Sequence, residues 1–144
     1  MLSKSQAKLF FLGGTVFFLI IFLALTVDTL VNGVPKHTHS DQITDQVKLG
    51  RRLWDANNCM GCHTIMGEGA YYAPDLTKVY ERRGPKYIKT VLNFPGGWQL
   101  HGRRMVQYNF TEQEKDGIVA FFKWVGNVDL NGFPPKPSLQ SEQK

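Results

Sequence analysis

The sequence predicts a mainly α-helical protein, with a single N-terminal transmembrane helix followed by one small domain built around a bound cofactor. Three observations carry this. Leu9 to Val27 is a run of 19 residues without a charge. Only 117 of the 144 residues follow it, enough for one domain whose core is small and gains from an added group. Within that remainder stands Cys59-Met60-Gly61-Cys62-His63, holding both cysteines of the chain. A composition of 42% hydrophobic and 20% charged residues excludes a disordered or low-complexity chain.

The apolar run, LFFLGGTVFFLIIFLALTV, would span about 28 Å as a helix, close to the hydrocarbon thickness of a bilayer. Lys4 and Lys8 precede it and Asp28 follows. The positive flank belongs on the cytoplasmic side, which sends the rest of the chain across the membrane. A cleaved signal peptide is the alternative, but its apolar region is shorter and ends at a small-x-small site. The stretch from Leu25 to Thr29 shows none. Gly13 and Gly14 are candidates for close packing on another membrane helix. Residues 1–32 are therefore read as a cytoplasmic stub and anchor. Residues 33–40, with Gly33, Pro35 and Ser40, are read as a linker, and 41–132 as the exported domain.

The net charge is +5. Without the two anchor lysines, 15 basic residues against 12 acidic ones leave +3. No dense basic tract with interleaved aromatics is present, so nothing points to nucleic acid. Arg51-Arg52, Arg82-Arg83 and Arg103-Arg104 are more simply solvated charges or carboxylate partners.

In the exported domain, Asp41 or Thr44 caps a first helix running to about Asn57, with Val47, Gly50, Leu53 and Trp54 at helical spacing. A glycine inside a helix is unfavourable, so Gly50 marks a close helix crossing. Asn57-Asn58 ends the helix just before Cys59.

C-x-x-C-H is the attachment signature of a c-type haem. Both thiols add to the vinyl groups on one porphyrin edge, and the adjacent imidazole becomes the proximal iron ligand. A thioredoxin-like pair would follow a buried strand, and a zinc knuckle would need two further ligands nearby; neither context is present. The distal ligand must come from farther along. Met60 lies within the clip and Met66 on the proximal side. Met105 is 42 residues beyond His63 and is the first candidate; His101 is the alternative, with a lower potential. His37 and His39 fall in the linker. With both axial positions filled by protein, the iron transfers electrons rather than binding gas.

Ten residues beyond the motif, Ala73-Pro74-Asp75-Leu76 offers the Pro74 carbonyl as acceptor for the proximal imidazole, in the manner of c-type cytochromes. Gly67, Gly69, Tyr71 and Tyr72 form a tight loop. The two tyrosines, with Arg82, Arg83, Arg103 and Arg104, are candidate haem contacts, and the sequence does not choose among them. A second helix starts at Pro85, which suits a first turn, carries Tyr87, Ile88, Val91 and Leu92, and ends at Pro95-Gly96-Gly97. Trp98 to Phe110 is a loop that brings Met105 to the iron. Thr111 and Glu114 form a capping box for a last helix, with Ile118, Phe121, Phe122 and Val125 on its apolar face and Gly126 at its end. Gly50 and Trp54 should meet Phe121 or Phe122. Residues 133–144 read as a polar C-terminal tail.

An N-terminal anchor, then NCMGCHTIMGEGAYYAPDLTKVYERRG, then FPGGWQLHGRRMVQYNFT, resembles the small cytochrome c subunit of bacterial nitric oxide reductase over nearly the whole chain. C-x-x-C-H alone says cytochrome c; the GEGAYYAPDLT extension is much more specific. The resemblance implies a class I-like cytochrome c domain in the periplasm, on a single-pass protein of the bacterial inner membrane. It implies one covalent haem c with His63 and Met105 as axial ligands. It also implies a multi-helix catalytic partner with haem b, haem b3 and a non-haem iron, where NO is reduced to N2O. In that family a soluble donor, a small cytochrome c or a cupredoxin, reduces the haem c. A calcium ion lies near the boundary between the two proteins, and backbone oxygens of Gly69 and Tyr71 are candidates for its vicinity. The chain itself would be a non-catalytic electron-transfer subunit, with no catalytic residue of its own. The alternatives are a cytochrome c subunit of another membrane oxidoreductase, a free-standing tethered shuttle, and a gas-binding or peroxidatic haem protein.

Overall fold

A computed structural model describes residues 3–100 and 102–132, the side chain of Leu100 excepted. The tail read at 133–144 lies outside the described residues. The chain divides into two units, Met1–His37 and Thr38–Lys144.

The first unit is one helical rod. Helix α1 (Lys4–Asp28) begins in a reciprocal cap: the Ser3 hydroxyl accepts from Gln6 N at 3.3 Å, and the Gln6 side chain accepts from Ser3 N at 2.9 Å. One wide π turn (Thr29–Gly33) leads into α2 (Val34–Thr38). The π turn has a cause in Pro35, which has no N–H for the carbonyl four residues back. The ladder changes spacing just before it, with Val34 N bonded to Thr29 O. The segment marked by composition as a linker thus continues as helix to Thr38. From Lys4 to Thr38 the rod is 35 residues with a mean hydropathy of 2.6 in its most apolar window, long and apolar enough to cross a membrane. Two of its threonines return to the backbone, Thr26 and Thr29 donating to Phe22 O and Leu25 O, each at 2.8 Å, and Asn32 donates to the Asp28 carboxylate at 2.7 Å.

Among the described residues the second unit has three α-helices, two short hairpins and 3-10 turns at Ser40–Gln42 and Cys59–Gly61. Helix α3 (Asp45–Ala56) is capped by the Thr44 side chain, which accepts from Val47 N. Strands β1 (Thr64–Ile65) and β2 (Glu68–Gly69) pair antiparallel, with Thr64 opposite Gly69. Their two-residue turn has positive φ at both Met66 and Gly67, the type I′ geometry that matches strand twist. Helix α4 (Val79–Leu92) is broken at Gly84, φ +73°, and Pro85 restarts it. The helical turn Val79 to Arg83 before the break has no periodic signal in the sequence. Strands β3 (Gln99–Leu100) and β4 (Arg103–Arg104) form a hairpin inside the segment read as a loop. Helix α5 (Glu112–Asn127) carries the Thr111–Glu114 capping box and runs through Gly126 rather than ending there.

Helices α3 and α4 both pack on α5. Val47, Trp54, Val79, Ile88, Leu92, Ile118, Phe121, Phe122 and Val125 form one buried core. At the crossing of α3 and α5, glycine faces glycine. A Cβ on Gly50 would fall on Gly117 O and lie 2.6 Å from Phe121 Cβ; one on Gly117 would meet Gly50 N at 3.2 Å. Gly117 is the half of this contact that sequence periodicity does not single out. The close approach lets Trp54 reach Phe121 and Phe122, at ring separations of 6.2 and 5.7 Å. Buried Lys115 ties α4 to α5, donating to Asn93 Oδ1 at 2.6 Å and Glu112 Oε1 at 2.5 Å. Lys78 Nζ donates to Gly126 O, satisfying a carbonyl in the last turn of α5. Trp124 Nε1 donates to Thr38 O at 2.9 Å.

Gly50→Ala gains about 1 kcal/mol of helix propensity but forces backbone against backbone, which costs about 1–3 kcal/mol or more. Net loss of stability is expected in thermal unfolding, and an unchanged or raised Tm would contradict the crossing described. The hydrogen bond from Lys115 holds the Glu112 carboxyl below its ordinary 4.5. A depressed folded-state value stabilises the fold above the ordinary carboxylate range and is lost as pH falls through the folded value. Glu112→Gln should flatten the decline of Tm between neutral pH and pH values below 4.5, and an identical slope would remove Glu112 from the acid response.

Candidate functional site

The cysteine motif follows directly from the end of α3. Asn58 takes a left-handed conformation, φ +48°, and turns the chain into a 3-10 turn at Cys59–Gly61. Cys62 N and His63 N both donate to Cys59 O, at 3.2 and 2.9 Å, so the two thiols and the imidazole leave one tight turn together. The two cysteines do not pair with each other; Cys59 is half-buried and Cys62 exposed. Behind them the chain is pinned by Ala70 N to Met60 O at 2.9 Å and Ala73 N to Cys62 O at 2.8 Å. Gly69, φ +121°, admits no side chain because a Cβ there would fall on His63 O.

His63 Nδ1 lies 2.8 Å from Pro74 O. A carbonyl only accepts, so Nδ1 carries the proton and the Nε2 lone pair is left for a metal. Burial pushes the His63 pKa down from 6.5, against the Pro74 bond and the charge of Asp75. The neutral, metal-binding form is therefore favoured. Trp54 stands beside the ring, 6.4 Å between centroids.

What holds Pro74 in place is a polar knot that motif reasoning missed. Asp75 accepts from Thr64 Oγ1 at 2.9 Å, Thr77 Oγ1 at 3.0 Å and Thr77 N at 3.0 Å. Thr77 Oγ1 in turn accepts from Met66 N at 2.7 Å. Thr64 and Thr77 are 1% and 0% exposed, so these hydroxyls have no recourse to water. The available signal was the Asp75-Leu76-Thr77 spacing, which suits an Asx turn.

Cys59, Cys62, His63, Pro74 and Met105 all line one cavity of about 1020 Å³. Its walls include Trp54, Val79, Ile88, Leu92, Ile118 and Phe122 from the three helices, a mostly apolar lining. Met105 is half-buried, and its backbone is fixed by Met105 N to Trp98 O at 2.8 Å. Gly97, φ +82°, lies so close that a Cβ there would fall on Met105 O. His101, the alternative distal ligand, lies outside the described residues. His37 and His39 do not line the cavity.

Tyr108 also lines it, close to Cys59. Burial, then the neighbouring Cys59, pushes the phenol up to about 12, so it stays protonated. Burial likewise pushes the Cys59 thiol above its ordinary range. Tyr72 lines the cavity, whereas Tyr71 does not and is 80% exposed. The adjacent side chains diverge, which leaves only Tyr72 positioned as a haem contact. Arg82, Arg83, Arg103 and Arg104 all line the cavity.

Two thiols on one turn, an imidazole whose Nδ1 is tied to Pro74 O, a methionine thioether and guanidiniums for two propionates fit a covalently attached haem. Calcium is different. No group of three or more His, Cys, Asp or Glu side chains able to hold a metal ion occurs among the described residues.

The cytochrome c family model matches residues 47–126. The chain is 39% identical over 140 residues to the C subunit of nitric oxide reductase from Stutzerimonas stutzeri, covering 92% of this chain and 94% of that one. It is 39% identical over 147 residues to the C subunit of nitric oxide reductase from Halomonas halodenitrificans, covering 95% and 97%. With the same subunit from Paracoccus denitrificans it shares 34% over 145 residues, covering 93% and 95%.

Asp75→Ala would strand two buried hydroxyls and one backbone N–H. A loss of about 2–4 kcal/mol in denaturant unfolding is expected, and a change below ~0.5 kcal/mol would show that the knot does not hold the Pro74 loop.

Proposed function

The chain belongs to the family of nitric oxide reductase C subunits, within the cytochrome c family, and from that premise we propose how its residues perform the electron-transfer role. It is the membrane-anchored cytochrome c subunit of a nitric oxide reductase, non-catalytic itself, partnered by the subunit that reduces NO. Cys59 and Cys62 would hold one haem c through thioethers, and His63 and Met105 would ligate its iron. The convergence of these four side chains on one cavity carries the reading.

When bound, the haem supplies a single reversible electron at iron. The protein's work is orientation and tuning. Pro74 O and the Asp75 knot hold the His63 ring and its tautomer. As a ligand Met105 would raise the potential relative to a histidine, and with His63 it would leave the iron to electron transfer. The apolar walls exclude water. Tyr72 and two of the four arginines bind the propionates.

A soluble donor, a small cytochrome c or a cupredoxin, delivers electrons. The catalytic subunit would hold the haem b, haem b3 and non-haem iron that accept them. The stub and anchor at 1–32 place the N-terminus in the cytoplasm of a bacterial inner membrane, 33–40 connect, and 41–132 stand in the periplasm with the tail at 133–144. Calcium near Gly69 and Tyr71 requires oxygens from the partner.

The test is purification of the tagged chain from native membranes in mild detergent. Haem b in excess of haem c, non-haem iron and a large co-purifying polypeptide are expected; haem c alone in several detergents would favour a tethered shuttle. In the same preparation, Met105→His should lower the haem c potential by on the order of 0.1 V or more, within the roughly 0.8 V that axial ligands command. Met105→Ala should open the reduced haem to CO. Wild-type spectrum and potential in both variants would move the distal ligand elsewhere.

A further inference from the structure

Four guanidiniums converge on the cavity that holds Cys59, Cys62, His63 and Met105, and none is paired with a carboxylate among the described residues. Each is oriented instead by a neutral group. Arg82 donates to Asp75 O at 2.6 Å, and Arg83 lies over the Tyr87 ring at 5.3 Å. Arg103 donates to Tyr72 O at 2.6 Å and lies over the Tyr72 ring at 5.5 Å. Arg104 donates through Nε to Gly96 O at 2.7 Å. Four other cations do meet acids, Lys48 with Asp45, Arg51 with Asp55, Lys89 with Asp116 and Lys115 with Glu112, while Arg52, Lys78, Lys86 and Lys123 pair with none among the described residues but do not share one cavity. The one carboxylate lining the cavity, Asp75, is turned to Thr64 and Thr77. These arginines are therefore held in place without being neutralised.

A guanidinium has five N–H donors and matches a carboxylate bidentately. One or two donors spent on a carbonyl leave the others free. Two propionates of a bound haem balance two of the four charges, and two remain. All four arginines are exposed, and beside them the rim bears Tyr72 and Val106, which are 47% and 66% exposed. Arginine and aromatic groups around exposed apolar surface suit a small, short-lived protein contact.

We propose that this arginine rim is the docking surface for the soluble electron donor, and that the donor presents an acidic face to it. The inference rests on the haem reading above. The surplus charge accelerates encounter and orients the donor over the cavity mouth, acting on association rate more than on affinity. One electron leaves the donor metal and reduces ferric haem to ferrous, with no bond made or broken.

The test uses the intact complex with the catalytic partner and single variants Arg82→Gln, Arg83→Gln, Arg103→Gln and Arg104→Gln. The probe is an acidic reduced cupredoxin, compared with the same protein after its surface carboxylates are converted to amides. Stopped-flow reduction of haem c is followed at low and high salt, with the haem spectrum and potential recorded for each variant. Faster reduction by the acidic probe, lost at high salt, is expected. At least two variants should keep spectrum and potential yet slow that probe ~3-fold or more at low salt, with little effect on the amidated one. Equal rates for the two probes, or wild-type rates in every spectrally intact variant, would overturn the proposal. So would spectral change in all four, which would assign every arginine to the haem, or loss of the catalytic partner, which would assign the rim to the seam between the two proteins. Absence of a haem c spectrum in the wild-type complex would instead overturn the haem reading itself.

Discussion

The close approach of α3 and α5 at Gly50 and Gly117 is the constraint on which the site depends. With no side chain between the backbones, Trp54, one helical turn beyond Gly50, reaches both Phe121 and Phe122 and stands against His63. The end of α3 is thereby fixed, and the cysteine turn begins only three residues later. A packing contact between two glycines is thus transmitted along one turn of helix to the position of the proximal imidazole. Interiors packed this tightly do not adjust to an added methyl group without moving something, which is why the geometry of the turn is as rigid as the crossing behind it.

The other end of the imidazole is held by a different kind of force. Pro74 has no side-chain function; its carbonyl matters because the loop around it cannot move. The Asp75 carboxylate, with two buried threonine hydroxyls and a backbone N–H on it, fixes that loop to the β1 strand just after His63. A polar network in a low-dielectric interior is costly when half-satisfied and rigid when complete, and here every member has a partner. The methionine side is held mainly by backbone, through Trp98 and the close approach of Gly97. Apolar packing, a buried polar knot and a glycine-permitted backbone contact each control one part of the same cavity.

Charge follows a separate logic. The core of the second unit satisfies its one buried lysine with Asn93 and Glu112, whereas the arginines of the cavity mouth are steadied by carbonyls and rings. That division suits a protein whose interior must be stable on its own and whose cavity mouth must meet the carboxylates of a haem. The N-terminal rod is simpler still: uncharged from Leu9 to Val27, with the hydroxyls of Thr26 and Thr29 returned to its own backbone.

Much of this was legible in the chain because the signals are local. A capping box, a 19-residue uncharged run, helical spacing of Val47, Gly50 and Trp54, and C-x-x-C-H each act within a few residues, so sequence alone determined the anchor, the helices that frame the domain and the haem-binding motif. Tertiary structure alone decided the rest. It paired Gly50 with Gly117, 67 positions away, turned Tyr72 inward and Tyr71 outward, put a hairpin within the Met105 segment and carried helix through the expected linker to Thr38. It also gathered Arg82, Arg83, Arg103 and Arg104 on one cavity while leaving their charges unpaired. Those outcomes depend on which distant atoms compete for the same space or the same proton, and no periodicity in a single chain encodes that competition.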